Sequence, residues 1–209
     1  MHIEHEIEFI PETHQYLIDG VLVPSVTTII KLIFPDKYKG ISTSILQKKA
    51  QYGTKGHEVI ENIGMNLMND YEALEYINDL YKDKEINQAM QISLREYVRL
   101  CRKHNIEIIA NEEIVNYGYE FVGTLDMIAW VNDKRSLIDI KFTAELDKEY
   151  LSWQLGMYEM AYGEEFDEHY CLWLPKGKVG KLEPVNIKTK EEIKSKLEEL
   201  RNENLLWTL

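Results

Sequence analysis

Cysteine is nearly absent: Cys101 and Cys171 are the two in 209 residues, they lie far apart, and they form no CxxC pair. Two thiols cannot hold an iron–sulfur cluster alone, and a disulfide framework is excluded. No apolar run approaches the roughly 20 residues that a membrane helix needs. The opening Met-His-Ile-Glu-His-Glu is acidic and has no signal-peptide apolar region, which predicts a cytoplasmic protein without a membrane partner. Proline (5) and glycine (11) are too sparse to build a linker, and there is no repeat or low-complexity tract, so residues 1–209 read as a single domain. No GxxxxGK[ST] segment occurs, which predicts no ATP site.

Positive charge is also in short supply. The chain carries 24 basic and 36 acidic residues, a net charge of −12. Alone, that balance argues against a polyphosphate partner, since phosphates are bound by Lys and Arg. The distribution softens the objection. Lys31, Lys37, Lys39, Lys48, Lys49 and Lys55 form a basic run interrupted by Asp36 alone, and a carboxylate cluster that binds metal counts as negative until the cation arrives.

Periodicity divides the chain at about residue 105. Residues 6–10 and 14–23 read as strands, the second folded at Asp19-Gly20, a strong hairpin signal. Pro24-Ser25 opens a short helix through Ile33, with Ser25 as its cap, and Pro35 ends it. Residues 42–69, 71–81 and 85–104 read as helical, with Gly53 and Gly56 weakening the first and splitting it in one reading. Then the texture becomes β-rich: Ile106–Val115, Tyr119–Val131 and Ser136–Phe142, with turns at 116–118 and 132–133. Leu146–Tyr162 is a helix, Glu168–Leu174 and Val179–Ile187 a strand pair, and 190–206 an amphipathic helix. The order predicts an α/β fold: an N-terminal hairpin and helices (1–105), a catalytic sheet and helix (106–187) and a C-terminal helix (188–209), with a mixed central sheet flanked by helices.

Chemistry concentrates in the β-rich part. In Ser136-Leu-Ile-Asp-Ile-Lys141, alternation puts Asp139 and Lys141 on one face of an otherwise apolar strand. Burying such charges needs a reason. A salt bridge or an edge strand would serve, as would a metal ligand beside a residue that handles water. One hairpin earlier, Gly123-Thr-Leu-Asp126 places a second acid inside an apolar run. Strands lie about 4.8 Å apart, so Asp126 and Asp139 can converge on one hard cation, which prefers oxygen ligands.

The ordered set Gly53-Thr-Lys-Gly-His57, Glu112 or Glu113, Gly123-Thr-Leu-Asp126, Asp139-Ile-Lys141 and Gln154-Leu-Gly-Met-Tyr158 resembles the RecB-like branch of the PD-(D/E)XK nucleases. That branch includes phage and bacterial recombination exonucleases and the CRISPR adaptation nucleases. The resemblance covers roughly residues 50–162, and the stretch from Tyr16 to Pro24-Ser-Val-Thr27 is similar to phage members. It implies a restriction-endonuclease-like core and Mg²⁺- or Mn²⁺-dependent hydrolysis of DNA, at single- or double-stranded ends, in recombination, repair or replication. Recombination or single-strand-binding proteins would be further partners.

The same resemblance implies roles. Asp126, Asp139, the backbone carbonyl of Ile140 and His57 would hold the metal, with Glu112 as the additional acid and Glu113 as its alternate, because alternation lets only one face the site unless a bulge intervenes. Lys141 would orient or deprotonate the attacking water, or stabilise the phosphorane. Gln154 and Tyr158, i and i+4 on one helix face, would look toward the substrate, with Lys55 on its path. Many relatives carry four cysteines around an iron–sulfur cluster; two cysteines here predict none. A catalytically weak nucleic-acid-binding subunit of the same fold, or an RNA-directed nuclease, are the competing readings.

Overall fold

A computed structural model describes residues 6–11, 13 and 15–206. The expectations for His2, His5 and His14, read as structural histidines, lie outside these residues. Three short strands come first, β1 (Ile7–Ile10), β2 (Gln15–Ile18) and β3 (Val21–Val23), forming an antiparallel sheet in that order. The β2–β3 turn has Asp19 and Gly20 both at positive φ (50° and 77°), the mirror-image turn whose twist suits a two-residue hairpin.

Four helices follow: α1 (Val26–Ile33), α2 (Thr43–Met65), α3 (Asp70–Lys82) and α4 (Gln88–Lys103). Ser25 caps α1, its hydroxyl accepting from the Thr28 amide at 3.1 Å. The helix α2 is not split at its glycines. Gly56 lies against the Phe142 ring, where any side chain would collide, so this glycine serves a close approach rather than a break.

The second half holds β4 (Ile106–Tyr117), β5 (Phe121–Val131), β6 (Lys134–Lys141), α5 (Lys148–Tyr162), β7 (Glu168–Trp173), β8 (Lys181–Pro184) and α6 (Lys190–Asn202). The five strands form one sheet in chain order, antiparallel except for β6 and β7, which are parallel. That parallel pair requires a crossover, and α5 supplies it. The strand β8 and the helix α6 are shorter than periodicity suggested; α6 ends at Asn202.

Apolar alternation sorts the helices onto the two faces. Met127, Ala129, Ile138, Ile140 and Leu172 pack with α2, α3 and α4. Leu125, Ile128, Leu137 and Cys171 pack with α1, α5 and α6. The small N-terminal sheet covers the end of β5, where Tyr16, Ile18 and Val23 meet Val122. The Val122 amide donates to the Pro24 carbonyl at 3.1 Å, and Ser25 bridges Val122. No described helix is long and apolar enough to cross a membrane.

Candidate metal centre and its surroundings

Besides the register shift between Ile108 and Ala110, the sheet loses its alternation at a second level, and the acids sit there. Leu125 packs with the α1–α5 side, yet Met127, two residues on, packs with the α2–α4 side. Unbroken alternation would put both on one face. On β4 the same reversal separates Asn111, which faces Gly64 of α2, from Val115 on the α1–α5 side. The ladder pairs Asn111 with Met127 and Glu113 with Leu125, so Glu112 and Asp126 stand opposite each other at the reversal. Glu112 takes a left-handed φ of 48°. Such a conformation costs a non-glycine residue on the order of 1–3 kcal/mol and persists only where the surroundings impose it.

The reversal turns both carboxylates toward α2. Glu112 Oε1 lies 3.3 Å from His57 Nδ1, and Asp126 Oδ1 lies 3.6 Å from the same nitrogen. The other ring nitrogen, Nε2, is 3.1 Å from the Ile140 carbonyl. Asp126 Oδ2 accepts from the Ile140 amide at 2.6 Å. The β5–β6 pairing stops one residue earlier, at Met127 and Ile138, so the Asp126 carboxylate takes over where the ladder ends. Glu113 is half-buried with no such contact; the structure places Glu112 in the cluster.

Asp139 and Lys141 share the α5 face of β6, as alternation predicts. Asp139 is 1% exposed. Lys141 Nζ donates to Asp139 Oδ1 at 2.7 Å and lies 2.6 Å from Oδ2, which has no hydrogen bond of its own. Burial raises the Asp139 carboxyl above its usual range, Lys141 pulls it down, and Asp126 pushes it up again. Burial acts against the Lys141 charge, but Asp139 and Asp126 hold the ammonium well above its ordinary value.

His57 is governed by the same competition. Burial disfavours its charged form, but Asp126 and the hydrogen-bonded Glu112 outweigh that and lift it to about 9. As an imidazolium it donates from both nitrogens, one to a carboxylate and one to a carbonyl. To ligate a cation, the ring must give up the proton on the coordinating nitrogen.

Among the described residues, His57, Glu112 and Asp126 are the group whose ligand atoms all lie within 4.8 Å of one another. With the Ile140 carbonyl beside them, the donors are hard oxygens plus one imidazole, a set that could hold a divalent cation. Asp139 stands outside that tight group, both of its oxygens within 2.7 Å of the Lys141 ammonium.

The expected substrate-facing residues are placed otherwise. Gln154 and Tyr158 are each 4% exposed, and the Gln154 amide donates to the Tyr158 hydroxyl at 3.4 Å. They form a buried wall of the site rather than a surface; Gln154 Oε1 has no hydrogen-bond partner in it. Lys55 is about 200° around α2 from His57 by helix geometry. It pairs with Glu58 at 3.0 Å and Glu85 at 3.8 Å, and the fold does not bring it to the cluster.

Within the lysine run, Lys31, Lys48 and Lys49 are exposed, while two others are paired with acids. Lys37 binds Asp147 at 2.5 Å and Lys39 binds Asp36 at 3.0 Å. Tyr150, not singled out from the sequence, neighbours the ion pair. Burial first, then the nearby Tyr38, push its hydroxyl up to about 12, with Lys141 and Asp139 among its charged neighbours. Thr124, bonded to Tyr16 at 2.8 Å, was likewise not singled out. Neither carries a periodic or motif signal of its own; Thr124 lies inside the Gly123–Asp126 segment.

A search of curated proteins finds no match. One solved structure, "Crystal structure of SSO0001", is 20% identical over 62% of this chain and 67% of that one, with a TM-score of 0.35, too slight a likeness to carry an argument. The family model described as "PD-(D/E)XK nuclease superfamily" matches residues 37–205, most of the chain and every residue of the cluster. This protein therefore belongs to the PD-(D/E)XK nuclease superfamily.

Proposed function

We propose that the chain is a Mg²⁺- or Mn²⁺-dependent DNA exonuclease of the RecB-like, phage-type branch, acting in recombination, repair or replication. The superfamily makes it a metal-dependent nuclease; the finer reading is ours. The observation that carries it is the convergence of Glu112, Asp126, His57 and the Ile140 carbonyl where β4 and β5 reverse their alternation together, beside the ion pair of buried Asp139 with Lys141.

In this reading Asp126, Glu112 and His57, with the Ile140 carbonyl and Asp139, would hold the cation, His57 as the neutral imidazole. Once bound, a divalent ion supplies Lewis-acid stabilisation of phosphoryl charge and a more acidic water. The protein's own part is positional and electrostatic. Asp126 ties itself to the β6 backbone, so its second oxygen is fixed. Lys141 is held as an ammonium by two carboxylates, which favours donation toward water or a non-bridging phosphate oxygen over proton abstraction. Water oxygen bonds to phosphorus as the bond to the leaving sugar oxygen breaks; the water loses one proton and the leaving oxygen gains one. Gln154 and Tyr158 close the site from behind.

Linear and circular DNA, labelled at either end, should be incubated with Mg²⁺ or Mn²⁺ alongside a Lys141→Ala control. We expect cleavage of linear DNA alone, lost in the control. Circles cut as fast as linear DNA would remove the exonuclease reading, and binding without cleavage in either metal would remove the enzymatic one.

A further inference from the structure

The family match begins at residue 37, so the N-terminal sheet lies outside it. That sheet nevertheless reaches the metal centre through one side chain. Tyr16, on the central strand β2, is 3% exposed. Its ring packs on Phe9 with centroids 4.8 Å apart. The hydroxyl meets Thr124 Oγ1 at 2.8 Å. Thr124 lies two residues before Asp126 and immediately before Leu125, the last residue ahead of the alternation reversal. Burial raises the Tyr16 hydroxyl above its ordinary value, the Thr124 hydrogen bond works against it, and the Glu112 carboxylate adds to the rise. Tyr158, on the opposite helix, feels both Asp126 and Tyr16.

The strained part of the site needs such a constraint. Glu112 is held at positive φ, and Asp126 leaves the regular ladder to reach Ile140. The segment Thr124–Asp126 is the strand across from Glu112; β4 pairs with it at Leu125 and Thr124, but the β5–β6 ladder stops at Met127, so on its other edge the Asp126–Ile140 bond takes over where the ladder ends. We infer that Tyr16 is a positioning residue of the metal centre: through the Thr124 hydroxyl it holds β5 so that Asp126 and Glu112 converge on His57. This rests on the reading of that cluster as a metal site. Tyr16 touches neither the cation nor the substrate; it acts through Thr124.

The test is Mn²⁺ binding by titration calorimetry on the full chain, for the parent, Tyr16→Phe, Thr124→Val, the double variant and Phe9→Leu. Residues behind the ligands typically change metal affinity by 10–100-fold. We expect Tyr16→Phe and Thr124→Val each to weaken Mn²⁺ binding by about tenfold. The double variant should be no weaker than either single one, because one hydrogen bond is removed in all three. Phe9→Leu loosens the N-terminal sheet without touching the hydroxyl, so it should lower the melting temperature and keep the parent's affinity.

Parent affinity in Tyr16→Phe overturns the inference, as do additive losses in the double variant. So does an equal loss in Phe9→Leu, which would mean that the sheet merely supports the fold. Failure of Thr124→Val to fold leaves Tyr16→Phe against Phe9→Leu to decide. A parent that binds no Mn²⁺ overturns the metal-site reading and this inference together; a parent that binds while Tyr16→Phe matches it overturns the inference alone.

Discussion

Gly56 and Phe142 touch so closely that a Cβ built on the glycine would fall 2.2 Å from the Phe142 ring. The contact joins two pieces of the centre, since Gly56 precedes His57 on α2 and Phe142 follows Lys141 on β6. Gly56→Ala gains helix propensity, about 1 kcal/mol, but forces a buried ring aside, and overpacking costs about 1–3 kcal/mol. We expect net destabilisation, read as a lower urea midpoint. Cleavage should fall by more than the folded fraction does, because the displaced helix carries His57. An unchanged midpoint would mean that the ring has room to move.

The pair formed by buried Asp139 and partly exposed Lys141 yields a second expectation. Removing one partner of a buried pair costs about 3–5 kcal/mol, because the other charge is left without compensation. Lys141→Met should approach that cost without reaching it, since burial already makes Asp139 ready to take up a proton. Replacing both, as Asp139→Asn with Lys141→Met, should recover most of the stability while remaining inactive. Denaturant titration separates the two effects from cleavage assays; a double variant as unstable as the single one would contradict the argument.

Metal binding should stabilise the fold. A ligand that binds only the native state adds about 2.7 kcal/mol at one hundred times its dissociation constant. Mn²⁺ should therefore raise the melting temperature of the parent by several degrees, but not that of Asp126→Asn or Glu112→Gln, whose ligand atoms lie inside the cluster. Differential scanning calorimetry with and without chelator reads this directly. A Mn²⁺ shift that survives both substitutions would place the cation elsewhere.

Glu159 offers a pH test away from the metal centre. It is buried on α5 and accepts from the Phe166 amide at 3.0 Å, with His169 Nε2 at 2.7 Å. Burial works to raise its carboxyl, but the His169 and Phe166 hydrogen bonds prevail and hold it below the ordinary value of 4.5. A lowered folded pKa means that the folded state releases its proton more readily. The stabilisation is therefore fully present above pH 4.5 and is lost as pH falls through the folded value. Glu159→Gln should cost about 1.5–3 kcal/mol at neutral pH, as for hydrogen bonds to a charged group. The gap to the parent should close below pH 4.5 in urea titrations. A gap independent of pH would show that packing, not charge, is what Glu159 contributes.

Much of the fold was legible in local pattern. The Asp19-Gly20 turn, the Ser25 cap and the sequence of helices and strands follow from periodicity and turn chemistry, and each element appears where those signals stand. Local pattern misjudged Gly56, because the residue that explains it, Phe142, is 86 positions away. It also left α6 too long, since its last apolar residues, Leu205 and Leu206, pack against the core without continuing the helix.

The candidate site divides along the same line. Asp139 and Lys141 on one strand face is a consequence of a two-residue repeat, so it is readable from six letters of sequence. Gln154 and Tyr158 were rightly paired on one helix face, but the repeat of a helix does not say whether that face meets substrate or core; packing against the sheet buried it.

What the sequence by itself determined is the inventory: which carboxylates, which histidine, which lysine, and in what order along strands and helices of known period. What only the tertiary structure decided is convergence. Glu112 rather than Glu113 reaches His57 because two neighbouring strands reverse their alternation together, at a left-handed residue that no local signal marks. Around that reversal α2 contributes His57, the crossover helix Tyr158 and the N-terminal sheet Tyr16, and contacts between segments so distant in the chain have no expression in local periodicity.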